Sequence, residues 1–108
     1  MNQEIKKKWV AALRSGDYTQ GDGALCRLTP DGAKYCCLGV LVEEVEGEDA
    51  WDFRATSQRC TFQENSAVLA GGYLAKTGVG SGYASDLMRM NDLGTSFSEI
   101  ADYIEENL

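Results

Sequence analysis

The chain has 108 residues, of which 44% are hydrophobic and 25% charged, and its formal net charge at pH 7 is -7. This composition is typical of a globular protein and excludes a disordered chain, and the length predicts one domain over residues 1–108. Nucleic-acid affinity is built from clustered Lys and Arg, so the acidic balance argues against direct nucleic-acid binding. No run approaches the roughly 18 apolar residues that cross a bilayer, and the polar N-terminus does not lead into a signal peptide. We therefore expect a cytoplasmic protein without membrane contact.

The first half of the chain predicts a helix, a hairpin and a second helix. Apolar residues recur at helical spacing over residues 3–15, which predicts an amphipathic helix. Two apolar runs, at 24–28 and 33–38, flank the segment Thr-Pro-Asp-Gly, in which Pro and Gly occupy the positions they prefer in a type I turn. We therefore expect a β-hairpin, followed by a helix over residues 38–46.

The second half has a less regular pattern. Residues 51–55 and 60–63 are candidate strands, and the glycines between positions 71 and 82 predict a flexible stretch. A short helix is expected over residues 84–91. The Ser-x-x-Glu pattern at 96–99 is a capping box, which predicts the start of a terminal helix. The buried stripe of that helix is expected to comprise Phe97, Ile100, Ala101, Ile104 and Leu108.

Together these elements predict an α+β fold. The expected architecture is a small antiparallel sheet built on the β-hairpin and packed with the N-terminal and C-terminal helices. We expect both C-terminal helices on one face of this sheet.

The four cysteines are Cys26, Cys36, Cys37 and Cys60. A cytoplasmic setting predicts reduced thiols, and neither their spacing nor the absence of histidine fits a structural zinc site. Cys36 and Cys37 stand where a strand leads into a helix, and a helix N-terminus favours a reactive thiolate. Thiol nucleophiles usually need an imidazole as base, and the chain has none, so we expect these cysteines to fill the core. No metal or cofactor is expected.

A glycine-rich segment at residues 78–82 lies close to Lys76. It lacks the Gly-Lys-Ser/Thr ending of a Walker loop and the strand and helix of a dinucleotide fingerprint. A plain flexible loop is the favoured interpretation, although glycine amides with Lys76 could surround a phosphate.

Several short motifs resemble those of a family of small bacteriophage and prophage proteins. They are Leu13-Arg14-Ser15-Gly16, Tyr18, Gln20-Gly21, Tyr35-Cys36-Cys37-Leu38-Gly39-Val40-Leu41, Met90-Asn91-Asp92, Gly94, Ser96-Phe97 and Glu99-Ile100-Ala101. The resemblance covers both ends of the chain and not residues 48–80. The family has no characterised activity, so the resemblance implies a viral setting in the host cytoplasm. Phage accessory proteins of this size commonly act on host defences by stoichiometric binding.

We therefore expect a non-enzymatic phage protein that counteracts host defence by sequestering a small nucleotide-derived immune signal. Arg27 and Lys76 would bind phosphate, Gln20 and Asn91 would recognise base or ribose edges, and tyrosines would stack on the base. Each of these polar groups has an alternative role as a capping or surface residue. The candidate ligand-binding residues are Tyr18, Gln20, Arg27, Tyr35, Lys76, Asn91, Asp92 and Thr95. A symmetric homo-oligomer is one way in which so small a protein could build a pocket.

Two alternatives remain open. After residue 36 the chain carries thirteen acidic and four basic side chains, so an acidic, DNA-mimic-like surface could occupy the basic site of a host nuclease or defence effector. The other alternative is a cysteine-dependent enzyme, in which single Cys-to-Ser replacements at Cys36 or Cys37 would abolish activity.

Overall fold

The computed structural model describes residues 1–53, 59–63 and 68–108. The helices are α1 (Gln3–Ser15), α2 (Cys37–Glu46), α3 (Gly71–Thr77), α4 (Ser81–Asp92) and α5 (Phe97–Asn107), with a short 3₁₀ turn at Glu48–Ala50. The strands are β1 (Cys26–Thr29), β2 (Gly32–Tyr35), β3 (Asp52–Phe53) and β4 (Arg59–Thr61). No helix in these ranges is long and apolar enough to span a membrane.

The four described strands form one antiparallel sheet in the order β2-β1-β4-β3. In the β1–β2 hairpin, Thr29 pairs with Gly32 and Arg27 pairs with Lys34. On the other side of β1, Cys26 pairs with Cys60 of β4. The sheet and its surrounding helices confirm the predicted α+β class.

The predicted hairpin is confirmed, but its second strand is shorter than expected. β2 ends at Tyr35, three residues before the predicted end at residue 38. Cys36 caps α2 instead, because its Sγ accepts a hydrogen bond from the Gly39 N–H at 3.4 Å. Its own N–H donates to the carbonyl of Leu25 at 3.1 Å, which fixes the point where the chain leaves the sheet.

Helix α2 is the central element of the core. All of its residues from Cys37 to Val42 are buried. A Cβ at Gly39 would clash with the carbonyl oxygen of Leu25, so only glycine lets α2 approach β1 this closely. The Trp9 indole of α1 donates to the Cys37 carbonyl at 2.8 Å, which ties α1 to the first turn of α2.

The C-terminal helices pack mainly on other helices, so the expectation that both lie on a sheet face is wrong. α5 packs chiefly on α1, and α4 lies between α2 and α5. The predicted helix start at Ser96 is confirmed, because the Ser96 Oγ accepts from the Glu99 N–H at 3.2 Å. The reciprocal half of the capping box is not formed in the described bonds, since the Glu99 carboxylate accepts from the Ser96 hydroxyl at 3.3 Å. Of the predicted stripe, Phe97, Ile100, Ala101 and Ile104 are buried and Leu108 is half-buried.

The flexible stretch predicted over residues 71–82 is wrong. Residues 71–77 form α3, and α4 begins at Ser81, three residues before the predicted start. Tyr73, Leu74 and Val79 are buried, and their burial anchors a segment whose glycine content alone suggested a loop. Gly78 ends α3 with φ +83°, and a Cβ there would lie 2.7 Å from the Met1 Cα.

The two candidate strands of the middle region are confirmed as short strands. β3 occupies residues 52–53 of the predicted 51–55, and β4 occupies 59–61 beside the predicted 60–63. Residues 54–55 of the first prediction lie outside the described residues.

Candidate groove beside the hairpin

A groove of about 430 Å³ lies between one face of the β1–β2 hairpin and the turn that joins α4 to α5. Its volume is in the range of small-ligand sites, about 300–1,000 Å³. The described residues that line it are Gln20, Gly21, Asp22, Arg27, Thr29, Lys34, Asn91 and Gly94. Three of these, Gln20, Arg27 and Asn91, are among the residues that the sequence predicted.

Residues 19–21 form an extended segment, here called the wall, that borders the groove and pairs with the edge of β2. The Gly21 N–H donates to the Tyr35 carbonyl at 2.8 Å, and the Tyr35 N–H donates to the Thr19 carbonyl at 2.9 Å. The two chains run parallel at this bridge. A Cβ at Gly21 would lie 2.8 Å from the Lys34 Cβ, so glycine is what allows the wall to lie against β2.

Asn91 fixes this wall to the rest of the molecule. Its side chain is 2% exposed. The Nδ2 group donates to the Gly21 carbonyl at 2.7 Å, while Oδ1 accepts from the Cys37 N–H at 3.2 Å and from Gln20 Nε2 at 3.0 Å. Asn91 therefore joins the wall, the start of α2 and the end of α4, and its Oδ1 is occupied twice by protein donors.

Gln20 is the second member of this network. Its Nε2 group also donates to the Thr95 carbonyl at 2.7 Å, so both of its N–H donors are occupied by the protein. Thr95 contributes this backbone carbonyl and no described side-chain hydrogen bond. The two amides that we expected to recognise a base or ribose edge thus hold the groove together, and the Gln20 Oε1 oxygen is the acceptor they leave for a ligand.

Two cations face each other on the sheet side of the groove. Arg27 and Lys34 are half-buried and occupy opposite positions in the hairpin register. Like charges placed directly across two strands destabilise the pair. Within residues 1–53, 59–63 and 68–108, no ion pair contains either side chain. Of the eight described lining residues, Asp22 alone is acidic.

Tyr18 and Tyr35 contact each other, but neither lines the groove. Their rings meet edge to face with centroids 5.2 Å apart, and Tyr35 also packs against Trp51 at 6.3 Å. Burial, with the carboxylates of Glu44 and Glu43, raises the pKa of Tyr18 to about 12. Burial and Glu43 also raise the pKa of Tyr35. Both phenols are therefore neutral at physiological pH.

Asp92 and Lys76 occupy other positions. The Asp92 Oδ1 accepts from the Gly23 N–H at 3.2 Å, and Asp92 lines a small neighbouring cavity of about 60 Å³. Lys76 lies on α3, where its ammonium is 2.9 Å from the Glu46 carboxylate and 5.7 Å from the centroid of the Tyr73 ring. The structure does not bring Lys76 to the groove, so its expected partnership with Arg27 is not formed.

The thiols at the start of α2 have the properties of core residues. Burial raises the pKa of Cys36 to about 11, although the Gly39 N–H opposes this shift. Burial also raises the pKa of Cys37, whose Sγ donates to the Leu87 carbonyl at 3.5 Å. Both thiols are protonated at neutral pH, so the helix N-terminus does not produce the reactive thiolate that a cysteine enzyme requires.

Lys34, which completes the cationic pair, was not among the residues predicted from the sequence. Its position could have been predicted from the turn. When Thr29 pairs with Gly32 across Pro-Asp, the residues two positions further along each strand, Arg27 and Lys34, lie opposite each other. Asp22 and Gly94 were missed as well. Asp22 directly follows Gly21, which pairs with β2, and Gly94 lies in the turn between α4 and α5.

A second groove, of about 590 Å³, runs along α1 beside Glu105. Its basic side chains are Lys6, Lys7 and Arg14. Arg14 is bound by Asp102 at 2.6 Å and Glu105 at 3.0 Å, and the Lys6 ammonium donates to the Glu105 backbone carbonyl at 3.2 Å. The groove beside the hairpin is smaller, but its two cations occupy directly opposite positions on paired strands.

Comparison with known proteins identifies a family without assigning an activity. The sequence profile of a family described as a domain of unknown function (DUF8296) matches residues 1–71. These residues include α1, the wall, the hairpin and α2, and hence both cations of the groove. No curated protein and no solved structure matches the chain.

Proposed function

This chain belongs to the DUF8296 family, and we propose that it is a non-enzymatic binding protein whose groove takes a small, phosphate-bearing ligand of the nucleotide class. The observation that carries this proposal is the pair formed by Arg27 and Lys34. Two half-buried cations face each other at one register position of a chain whose net charge is -7.

A bound phosphate would reverse the energetic effect of this pair. Arg presents a planar fork that matches two phosphate oxygens, and Lys adds a point charge beside it. An anion placed between Arg27 and Lys34 replaces their mutual repulsion with two attractions. Binding of a phosphate at this position would therefore stabilise the folded protein.

The rest of the lining suits the polar part of a nucleotide. Gln20 presents its remaining acceptor, Oε1, and the Asp22 carboxylate can accept from a ribose hydroxyl. The volume of about 430 Å³ accommodates a ligand of this size. Asn91 and Gln20 are held by hydrogen bonds inside the protein, so the groove is pre-organised and ligand binding does not have to order it.

Binding without chemistry is favoured by the state of the thiols. Cys36 and Cys37 are buried and protonated, and neither is among the described residues that line the groove. The wider role is also a proposal: a phage protein in the host cytoplasm that counteracts defence by sequestering a nucleotide-derived signal. Support for that role comes from the resemblance of the sequence motifs to small phage and prophage proteins.

Isothermal titration calorimetry with a panel of probes tests the groove. We would use inorganic phosphate, nucleoside monophosphates and cyclic dinucleotides, with adenosine as the probe that lacks phosphate. We expect heat of binding for at least one phosphate-bearing probe and none for adenosine. Arg27→Gln and Lys34→Gln should each weaken that binding at least 10-fold, whereas the matched control Lys76→Gln should leave it unchanged. Equal binding by all three variants would contradict the proposal.

The acidic antagonist is a second candidate, and one observation favours it. Six carboxylates lie within residues 43–52, a segment without Lys or Arg that runs from α2 to β3. Native mass spectrometry after incubation with a host lysate distinguishes the candidates. A gain of one small-molecule mass supports the groove, while a host protein that dissociates at high salt supports the antagonist.

A further inference from the structure

A pair of thiols lies across the centre of the sheet, apart from the groove and from the start of α2. Cys26 and Cys60 occupy opposite positions on β1 and β4, and their Sγ atoms are 2.9 Å apart. Both residues are free cysteines and fully buried. They lie 34 positions apart in the sequence, so only the sheet brings them together.

The backbone geometry of this pair satisfies the requirements of a disulfide. Opposite residues of antiparallel strands have Cα atoms about 4.5–5.5 Å apart, inside the range of about 4.4–6.8 Å found for disulfides. The Sγ atoms would have to move together by less than about 1 Å to reach the bonded distance. The two other cysteines are differently engaged, since Cys36 caps α2 and Cys37 donates to the Leu87 carbonyl.

We propose that Cys26 and Cys60 form a disulfide-modification site, closed by exchange with a low-molecular-mass disulfide such as oxidised glutathione. One protein thiolate attacks the glutathione disulfide, forming a mixed disulfide and releasing one glutathione thiolate. The second protein thiolate then attacks the protein sulfur of that mixed disulfide and releases the other glutathione. The protein loses two protons and two electrons, and the glutathione disulfide is reduced to two thiols.

The surroundings of the pair set the rate at which it reacts. Burial raises the pKa of Cys26 and of Cys60, so both are thiols at neutral pH. The rate of thiol–disulfide exchange therefore rises with pH, because the thiolate is the nucleophile. The pair is also shielded from solvent, so the oxidant reaches it through local opening of the sheet. The described neighbours of β4 are β1 and the two-residue strand β3, and such short edge pairing opens at low cost.

Closure of the bond would bind β4 covalently to β1, the strand that carries Arg27. Because it closes a long loop in the unfolded chain, the bond should raise the folding equilibrium constant by about 30-fold or more. This site does not depend on the groove, so a failed test of the proposed ligand would leave the proposed disulfide unaffected, and the reverse also holds.

Mass spectrometry of the full chain treated with oxidised glutathione tests the site. We expect a loss of about 2 Da without a glutathione adduct. After unfolding without reductant, iodoacetamide should label two of the four cysteines. Trypsin separates the cysteines into peptides 15–27, 35–54 and 60–76, and the first and third should remain joined until dithiothreitol is added.

Two variants and one further condition make the result decisive. Cys60→Ser should not form the bond, whereas the control Cys36→Ser should form it as the wild type does. The oxidation is repeated at a urea concentration just below the unfolding transition, where β4 opens more often. Four free thiols under both conditions, a glutathione adduct alone, or a bond from peptide 35–54 would each overturn the proposal.

Discussion

Two of the surfaces that carry arginine, the α1–α5 interface and the groove, differ in how the arginine is paired. At the interface, Arg14 is bound by Asp102 at 2.6 Å and by Glu105 at 3.0 Å, and these partners raise its pKa. In the groove, Arg27 is half-buried and faces Lys34. The chain has seven more acidic than basic side chains, so carboxylates are not scarce.

The difference in pairing separates charges that are satisfied within the protein from charges that are not. Ion pairs as exposed as that of Arg14 contribute little to stability, yet they satisfy the charge within the protein. A half-buried cation opposite another cation opposes the fold instead. The groove is therefore where the stability of the free protein conflicts with the binding role that we propose, and such conflicts are typical of functional sites.

The largest effect is expected from Asn91→Ala, which removes the side chain that holds the groove wall in place. The change leaves the Cys37 N–H, the Gly21 carbonyl and one Gln20 donor without their partner. We expect a loss of roughly 2–4 kcal/mol in the free energy of unfolding, measured by urea denaturation. The control Asn107→Ala loses one exposed bond to the Tyr103 carbonyl and should change it by less than about 0.5 kcal/mol. Similar losses in both variants would show that the wall does not depend on Asn91.

Gly21→Ala should disturb the groove directly. The new Cβ would lie 2.8 Å from the Lys34 Cβ, so the wall or β2 must shift. We expect a cost of about 1–3 kcal/mol in urea denaturation and a weaker affinity for any phosphate-bearing probe that the wild type binds. Gly72→Ala is the matched control, because nothing lies within 4 Å of its Cβ position in α3. Unchanged stability and affinity in Gly21→Ala would contradict the close packing of the wall.

Lys34→Gln tests whether the cationic pair of the groove lowers the stability of the free protein. It removes the repulsion with Arg27, so the free protein should gain about 0.2–1 kcal/mol of stability at low salt while its affinity for a phosphate-bearing probe falls. The gain should shrink as ionic strength rises, because salt screens the repulsion. Thermal unfolding at two salt concentrations measures it. A loss of stability at both concentrations would show that the Lys34 side chain supports the fold.

Arg14→Gln should give the smallest effect, with a pH dependence that identifies its origin. Arg14 lowers the pKa of Glu105 from its ordinary value of 4.5. A carboxyl with a lowered folded pKa contributes stability above that ordinary value, and the contribution is lost as pH falls through the folded pKa. Wild type and variant should therefore differ slightly at pH 7 and converge at low pH in urea denaturation. A difference that persists in acid would assign the effect to packing of the Arg14 stem.

Elements with strong local signals were predicted correctly from the sequence. The helix over residues 3–15, the hairpin and the helix start at Ser96 are each determined by neighbours in the chain: an apolar stripe, a Pro-Asp-Gly turn and a side-chain cap. The glycine-rich stretch failed because glycine reports only conformational freedom. Its helices are stabilised by the burial of Tyr73, Leu74 and Val79 against residues distant in sequence.

The groove shows the same division. The sequence by itself determined the α+β class and the acidic balance, because both follow from composition and short-range patterns. The hairpin turn also implies the register that pairs Arg27 with Lys34, although Lys34 was not among the predicted residues. Only the tertiary structure decided that Asn91 is a buried support, that Lys76 lies elsewhere and that Cys26 meets Cys60. Each of these depends on contacts between residues 30 or more positions apart, which no local pattern encodes.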